Sequence, residues 1–559
     1  MDLVLFQHDQ SFVLDRFCEG EFDYVDGVSE VEETEFFRYI GAHKVLPKLA
    51  DSYPSPREKE EVPLWMYIAS NLSMRLHGVH SFHAYPYVVR CGGMLNAFGP
   101  EVAHKARHPE TQDVTLSCGG FNDKNTYDRQ TPCDQDFLRK LSRDTLPEQL
   151  ERWFNFDVMG ILKEHKAFDP EGIFLGDASY LFVPDNENYE GSVRMLFDEH
   201  NHPVDKDSEK KLTAAQRARC QWKRCYKLVS LIHTNRSGDF FLYAAVAVVS
   251  GKAHECPVLY RLVDGFVQTV GRGRMKRLIL DRGFLDGEQI GRCKRDYGID
   301  VLIPLKKNMD VYQDVLGLMR GDRVHFQPYT APASKPPADP KPTRSPAAIR
   351  RREKKRQETL NRRKENEPPP PADKTVVRTE IAAVGDFRSW SSCPVPLSVI
   401  INKEIFADGH EEIWMLVDTK VVKNAAACRD EYRLRTGIEE RHRQLKCFLD
   451  LTDFKSRAFS LIVNQVIFVA LAYSLLQLYL RRIGRPELNR RTTPRIRRQL
   501  MPTHSVIILY YQNRFALLSA LEYTKLVLNL SENARKKVLA KTQQLERELA
   551  QELTLVRAP

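Results

Sequence analysis

Four residues in one short stretch of the sequence bring together chemistries that an apolar core would not use. In the run EYRLRTGIEERHRQLK, Tyr432, Arg435, Glu439 and Lys446 stand at offsets of 0, 3, 7 and 14. At ~100° per residue of α-helix, these positions fall within about 60° of one another. A ring, a guanidinium, a carboxylate and an ammonium on one helical stripe suit a metal ion and a phosphate chain. The alternative is a solvated charged helix, because the neighbouring residues are polar nearly all round.

Two aspartates stand where apolar, strand-like runs are predicted to end. Asp177 follows GIFLG, and Asp281 follows RLIL. A strand that ends there would deliver its carboxylate to the edge of the sheet, and two such carboxylates on one sheet could share a metal. Magnesium favours carboxylate ligands, and a pair of Mg²⁺ ions can activate the attacking oxygen and stabilise the leaving oxygen of a phosphodiester. For either aspartate alone, a helix or turn cap is the commoner role.

The surrounding sequence predicts a mixed α/β sheet that would position these residues. Strand-like runs rich in β-branched and aromatic residues begin at Gly172, Tyr226, Phe240, Arg277, Ile299, Val395 and Glu412. Helical patterns cover residues 257–270 and a long region over residues 424–480. Strands followed by strand–helix–strand alternation are typical of a mixed sheet with helices packed on it.

Changes in composition divide the chain into five predicted regions. These are an N-terminal, mainly helical domain (1–165), the first part of a catalytic core (166–308), a β-rich insertion (309–420), the second part of the core (421–480) and a C-terminal basic and helical region (481–559). The insertion contains a Pro-rich basic tract over residues 327–374. That tract is either a flexible linker or a segment that lies along a nucleic-acid backbone.

Three motifs of the sequence together resemble those of a known family. Tyr432, Arg435, Glu439 and Lys446 match Y-x-x-R-x-x-x-E-x-x-x-x-x-x-K without a gap, the signature of insertion-sequence DDE transposases of the IS-four type. LGDAS at Asp177 and LDRGF at Asp281 resemble that family's first and second acidic motifs. The resemblance runs over residues 172–480, a little over half of the chain.

The resemblance implies a fold and a set of roles. The fold would be a ribonuclease-H-like mixed sheet flanked by helices, with an inserted β-rich subdomain and helical N- and C-terminal regions. The gap of 158 residues between Asp281 and Glu439 has room for that insertion, although the long Pro-rich tract departs from the family pattern. Asp177, Asp281 and Glu439 would be catalytic and would hold two Mg²⁺ ions, with Mn²⁺ as a substitute.

The same resemblance implies the partners. Tyr432, Arg435 and Lys446 would bind DNA phosphates near the cleaved end, a task for which lysine and arginine are chemically suited. The enzyme would cut double-stranded DNA at the inverted-repeat ends of a mobile element and join the 3′-hydroxyl to target DNA, as a homodimer in the synaptic complex. By analogy, the N-terminal domain would recognise the inverted repeats.

The overall composition agrees with a DNA-binding protein. The chain has 559 residues, a formal net charge of +10 and a pI near 8.9. Basic clusters at residues 214–227, 274–277 and 481–498 could follow a DNA backbone. The eleven cysteines lack a CxxC pair. The first residues lack the features of a secretory signal, so we expect a cytoplasmic, nucleoid-associated protein.

Two alternatives compete with an active transposase. One is a catalytically silent DNA-binding protein descended from a transposase, which the intact acidic triad disfavours. The other is a membrane protein anchored by residues 458–480, a largely apolar run of sufficient length. Asn464, Gln465, Ser474 and Gln477 within that run favour a core helix instead, so no membrane partner is expected.

Overall fold

The computed structural model describes residues 7–28, 31–58, 62–85, 105–107, 114–116, 134–332, 375–485, 488, 506–512 and 514–557. Its helices are α1 (Gln10–Cys18), α2 (Val31–Ala42), α3 (Val45–Asp51), α4 (Leu64–Leu76), α5 (Gln135–Asp144), α6 (Pro147–Arg152), α7 (Met159–Glu164), α8 (Lys206–Lys211), α9 (Ala214–Arg219), α10 (Glu255–Val270), α11 (Gly287–Tyr297), α12 (Asp310–Arg320), α13 (Ala425–Tyr432), α14 (Thr436–Phe448), α15 (Phe459–Arg482), α16 (Ala520–Leu528) and α17 (Glu532–Arg557).

Its strands are β1 (Gln7–His8), β2 (Tyr24–Val28), β3 (Lys105–Arg107), β4 (Val114–Leu116), β5 (Ile173–Val183), β6 (Val193–Phe197), β7 (Gln221–Thr234), β8 (Leu242–Ser250), β9 (Arg277–Leu280), β10 (Asp300–Pro304), β11 (Gln327–Pro328), β12 (Val376–Phe387), β13 (Leu397–Phe406), β14 (Glu411–Asp418), β15 (Val506–Tyr511) and β16 (Arg514–Ser519).

A mixed sheet forms the centre of the protein. Its strand order is β11-β12-β13-β14-β10-β9-β5-β7-β6, with β8 also paired to β7. Strands β5, β9 and β10 are parallel to one another, whereas β7 and β14 run antiparallel to their neighbours. Strands β12 to β14, which lie in the predicted insertion, therefore extend this sheet through the pairing of β14 with β10. The predicted fold class, a mixed ribonuclease-H-like sheet flanked by helices, is confirmed.

Helix α15 lies in the middle of the hydrophobic core. By length and composition it could cross a membrane, but most of its side chains are buried inside the protein. Two of its polar residues accept hydrogen bonds from backbone amides at the start of the edge strand β8. Gln477 Oε1 accepts one from Phe241, the residue before the strand, at 3.1 Å, and Ser474 Oγ accepts one from Tyr243 at 3.0 Å. A core helix that satisfies backbone groups of a strand explains why an apolar run contains such residues.

The backbone of the other half of β8 is hydrogen-bonded by side chains of α6 and of the π-helical turn that follows α6. Asn155 accepts a hydrogen bond from the amide of Val246 and donates one to its carbonyl oxygen, both at 2.9 Å. Glu151 Oε1 accepts from the amide of Val248 at 2.7 Å. An edge strand normally exposes unpaired backbone groups, so these side chains close that edge of the sheet.

A second, smaller sheet joins residues from both ends of the sequence. Its order is β1-β16-β15-β2, in which β2 and β15 are antiparallel and β1 and β16 are parallel. It has a separate small core in which Phe17 and Phe22 from the N-terminal side pack with Leu509 and Leu518. This sheet was not predicted from the sequence. By contrast, helices α2 to α7 share one continuous core with the central sheet.

Most predicted elements of the core are present, with one correction. The helix predicted at residues 257–270 is α10, and the predicted strands correspond to β5, β7, β8, β9, β10, β13 and β14. The helical region expected over residues 424–480 is present as three helices and not as one continuous run: a 3₁₀ turn at Arg433–Arg435 separates α13 from α14, and residues 449–458 between α14 and α15 are not helical. Most of the Pro-rich tract, residues 333–374, lies outside the described residues.

Candidate active site

The two predicted aspartates lie beside each other on neighbouring parallel strands. Gly176 of β5 is in register with Leu280 of β9, so Asp177 and Asp281 follow at adjacent positions. The expectation that a strand ends at Asp177 is wrong, because β5 continues to Val183 through its antiparallel pairing with β7. It is β9 that ends, at Leu280, and this leaves Asp177 at an exposed step in the sheet.

Glycine at position 176 allows the close packing behind this step. A Cβ there would approach Leu280 Cδ2 to 2.6 Å and Leu259 Cδ2, on α10, to 2.7 Å. Real Cβ atoms do not come this close to carbon atoms in a packed core. A side chain at this position would therefore force the side chains of Leu280 and Leu259 to move from their places behind the site.

The motif segment runs along the same edge of the sheet. Tyr432 ends α13, Arg435 ends the 3₁₀ turn, and Glu439 and Lys446 lie on α14. The stripe predicted for one regular helix is therefore spread over two helices and a tighter turn. All six predicted site residues nevertheless come together at this edge.

Arg435 is the central charge of the site. Its guanidinium lies 3.1 Å from Asp281 Oδ2 and 2.6 Å from Glu439 Oε1. Burial works against the charged form, but Asp281, Asp177, Tyr432 and Glu439 together raise its pKa. Its Nε is buried and has no hydrogen-bond partner in the part of the chain that the structure describes.

Asp177 is the most buried of the three carboxylates. Burial raises the pKa of Asp177 to about 7, the neighbouring Asp281 and Glu439 add to this, and Arg435 opposes it. His442 Nδ1 lies 3.7 Å from Asp177 Oδ2. A carboxylate that titrates near neutrality beside two others is typical of a functional site rather than of a structural one.

His442 also lies at this site, although it was not among the residues predicted from the sequence. Its Nε2 is 2.9 Å from the hydroxyl of Ser230, which faces Asp177 across the β5–β7 pair. Burial lowers the pKa of His442 to about 3, so the ring is neutral at physiological pH. The sequence held a signal for it, because residue 442 is three positions after Glu439 and four before Lys446, on the same helical stripe.

Lys446 and Tyr432 flank the carboxylates. The Lys446 ammonium donates hydrogen bonds to Ser179 Oγ at 2.8 Å and to the carbonyl oxygen of Tyr180 at 2.7 Å, and burial lowers its pKa to about 8. Burial raises the pKa of Tyr432 to about 12, so its phenol stays protonated. These contacts fix Lys446 against β5, close to Asp177.

A buried ion cluster holds the motif segment against the start of β9. Arg277 donates two hydrogen bonds to Asp418, at 2.7 and 2.6 Å, and its guanidinium also lies 2.8 Å from Glu431, the residue before Tyr432. The prediction that the cluster at residues 274–277 faces DNA is wrong for Arg277, which is buried. Arg224 and Lys227 of the cluster at residues 214–227 are also buried.

The donor set at this edge suits a hard cation, because all three acidic groups are carboxylates. In the arrangement seen, no group of three His, Cys, Asp or Glu side chains among the described residues is close enough to hold a metal ion. Arg435 lies between Asp281 and Glu439, with a charge of the same sign as a metal. A cation that binds these carboxylates would have to displace the guanidinium.

A comparison with protein families shows to which family the chain belongs. The family model described as the transposase DDE domain matches residues 190–475, just over half of the chain. The chain belongs to the DDE transposase family. The match covers Asp281, the whole motif segment and Lys446, and it begins after Asp177. Among curated proteins, none matches this chain.

Membership of the DDE transposase family identifies DNA as the partner of this protein. Transposases are generally nuclease-type enzymes, and divalent metals are typical of the family. The remaining basic cluster, at residues 481–498, falls largely outside the described residues; of its side chains, Arg481 is paired with Asp169 at 2.9 Å.

Proposed function

We propose that this transposase cleaves DNA at the inverted-repeat ends of a mobile element and joins the freed 3′-hydroxyl to target DNA. The observation that carries the proposal is the adjacent register of Asp177 and Asp281, with Arg435 and Glu439 brought against them from the motif segment. The three carboxylates and one arginine converge from three separate parts of the sequence. A helix that was merely solvated would not place its charges against two strand positions.

Asp177, Asp281 and Glu439 are the residues that would hold two Mg²⁺ ions. When bound, such ions activate the attacking oxygen and stabilise the leaving oxygen of the phosphodiester. The chain's own residues perform the rest. Arg435 balances the carboxylate charge and, once released from Glu439, has free N–H groups for a phosphate oxygen. His442 holds Asp177 from behind, and Lys446 keeps the helix against β5.

The finer assignments follow from the same arrangement. Tyr432, Arg435 and Lys446, as an intact set, support membership of the IS-four type and contacts to phosphates next to the cleaved bond. Strand transfer requires that the double-stranded ends of the element and the target DNA are held together. This requirement supports a homodimer in the synaptic complex. Action on chromosomal DNA supports a cytoplasmic, nucleoid-associated location.

Cleavage of a DNA fragment that carries the element's own ends tests the proposal. With Mg²⁺, the wild type should cut, whereas Asp281→Ala and Glu439→Gln should lose at least about 100-fold in rate, the scale seen when one group that stabilises developing charge is removed. Both side chains are half-exposed, so neither change should alter the folding of the protein.

Glu440→Gln is the matched control for Glu439→Gln. Glu440 is the next residue on the same helix but pairs with Arg443, away from the carboxylates. It should keep cleavage within a few-fold of the wild type. Equal cleavage by all variants would refute the catalytic assignment, and DNA binding without any cleavage would support a silent descendant of a transposase.

A further inference from the structure

Gly437 lies on the first turn of α14, two residues after Arg435 and two before Glu439. Glycine is the poorest helix former after proline, so the helix by itself gains nothing from it. A contact outside the helix accounts for it, because a Cβ at this position would lie 2.6 Å from Phe241 Cζ and 2.7 Å from Phe241 Cε1. Carbon atoms of a packed core do not approach each other this closely. The ring of Phe241 therefore occupies the space that any other side chain at position 437 would need.

The ring of Phe241 has little room to move away from α14. Phe241 is 6% exposed, and the guanidinium of Arg441 lies 4.7 Å from the centre of its ring. Arg441 is itself buried and donates a hydrogen bond to the hydroxyl of Tyr473, on α15, at 3.1 Å. Residues four apart share one side of a helix, so the ring packs against two successive turns of α14, at Gly437 and at Arg441.

The loop between β7 and β8, which carries Phe241, is held in place by hydrogen bonds. Asn235 Oδ1 accepts one from the amide of Asp239 at 2.9 Å, and the hydroxyl of Thr234 donates one to the carbonyl oxygen of Phe240 at 2.6 Å. The amide of Phe241 donates to a side chain of α15. The backbone is thus fixed at Phe241 and just before it, so the loop does not easily withdraw the ring.

The position of the first turn of α14 decides where two residues of the active site lie. Arg435 and Glu439 are paired at 2.6 Å, and Arg435 also lies 3.1 Å from Asp281, which follows β9. Two residues of an α-helix correspond to a rotation of about 200°, so Glu439 is on the side of α14 opposite to the ring. A side chain at position 437 that pushed α14 away from Phe241 would shift Glu439, and Arg435 with it, relative to Asp281.

We propose that Phe241 is a positioning residue, whose ring sets the place of Arg435 and Glu439 in the active site. Glycine at position 437 is required for the ring to fit. This role rests on the proposed function, because it takes Arg435 and Glu439 as parts of the cleavage site. It gives the loop before β8 a part in cleavage.

Cleavage by the full-length protein with Gly437→Ala tests this role. With Mg²⁺ and the element's own ends, the rate at saturating DNA should fall by about 10-fold or more, since a misplacement of about 1 Å can cost up to about 100-fold. The DNA concentration that gives half of that rate should change by less than about threefold, because the loss lies in the chemical step. Gly317→Ala is the matched control: Gly317 is also within a helix, α12, and a Cβ there would meet no described atom outside that helix within 4 Å. It should cut at the wild-type rate.

The double variant Gly437→Ala with Phe241→Leu separates positioning from a simple loss of stability. Leucine lacks the Cζ and Cε1 atoms, and the next ring atom, Cδ1, lies at an ordinary distance of 3.8 Å from the Cβ position. Cleavage should therefore recover by about threefold or more over Gly437→Ala alone, whereas the effects of two independent defects would combine. The melting temperature should follow: Gly437→Ala should lower it in the wild type and raise it beside Phe241→Leu, where only the better helix former remains.

A wild-type rate in Gly437→Ala overturns the positioning role, and so does a double variant that cuts no faster than Gly437→Ala. In both cases the wild type still cuts, so the proposed function stands. If the wild type itself does not cut the DNA, the proposed function fails and this role fails with it.

Discussion

Strand β9 has an arginine–carboxylate cluster at each of its ends, and the two clusters use the same chemical groups. At its start, Arg277 pairs with Asp418 and Glu431, and the side chains of Arg277 and Asp418 are 7% and 1% exposed. At its end, Arg435 pairs with Asp281 and Glu439, which are 43% and 55% exposed. The motif segment supplies Glu431 to the first cluster and both Arg435 and Glu439 to the second.

Burial explains why one cluster is structural and the other can do chemistry. Although burial works against a charged Arg277, the hydrogen bonds to Asp418 raise its pKa above the ordinary value, so the pair stays ionised and fixed. Water reaches Asp281 and Glu439, so the cation between them can be exchanged at little cost. The closed cluster holds the segment in place, and the open cluster is the one proposed above to bind substrate and metal.

The largest effect on stability should come from Arg277→Ala. This change leaves Asp418 buried without its counter-charge, and we expect the free energy of unfolding to fall by about 3–5 kcal/mol. Urea denaturation measures it. Arg292→Ala is the matched control, because Arg292 pairs with Asp264 in a more exposed position, 29% and 36% exposed. A loss no greater than that of the control would mean that burial does not distinguish the clusters.

Glu151 tests the same argument with a buried carboxylate held by a backbone amide. Burial raises the pKa of Glu151 from 4.5 to about 7. The folded protein then keeps this proton in a pH window where the unfolded chain releases it, so stability falls as pH rises from about 4.5 to about 7. Glu151→Gln should remove this loss, which amounts to up to about 3 kcal/mol at pH 8. Denaturation at pH 5 and pH 8 measures it.

The control for that change is Glu148→Gln, on the same helix and exposed. It should leave most of the pH dependence of stability in place, because burial is the largest cause of the raised pKa of Glu151 and Glu148 adds only the smallest part. If Glu151→Gln shows the wild-type pH dependence too, Glu151 is ionised in the folded protein, and burial does not raise its pKa.

His442→Phe should separate the positioning of Asp177 from DNA binding. Phenylalanine fills a similar volume but loses the contacts to Ser230 and Asp177. We expect cleavage to slow by about 10–100-fold, the usual cost when a group that orients a metal-binding carboxylate is removed. Affinity for the DNA ends should be unchanged. Ser230→Ala, which removes only the hydrogen bond to His442, should have a smaller effect in the same direction, and a wild-type rate in both variants contradicts the role.

The smallest stability change should come from Arg435→Ala, the counterpart of Arg277→Ala in the open cluster. Because Asp281 and Glu439 remain hydrated, the free energy of unfolding should change by no more than about 1 kcal/mol. Affinity for Mn²⁺ should rise, since the guanidinium no longer competes for the carboxylates; calorimetry measures both quantities. A stability loss as large as that of Arg277→Ala would show that the open cluster is structural.

The sequence predicted which residues come together better than it predicted the elements that bring them together. Asp281 and the motif residues could be found because local runs and fixed spacing reveal them. The exposed step at Asp177 depends on where β9 ends beside β5, which is a property of strand register and not of either run alone. Arg277 was interpreted as surface charge because its partners, Asp418 and Glu431, are more than 140 residues away.

Long-range pairing also hid the small sheet. Strands β1 and β2 are short and polar in part, and nothing near them in sequence shows that their partners lie about 490 residues later. The break between α14 and α15 was missed for a different reason: residues 449–458 contain neither glycine nor proline, the strongest signals for the end of a helix.

The small sheet can form only late in the synthesis of this protein. Strands β1 and β2 leave the ribosome first, but their partners β15 and β16 emerge only after residue 506 has been synthesised. Until then, two of the earliest strands have no neighbours, and the aromatic residues of their small core remain exposed in the nascent chain. An mRNA truncated before that point would therefore yield a protein whose N-terminal strands are unpaired and prone to aggregation, even if the central sheet had already formed.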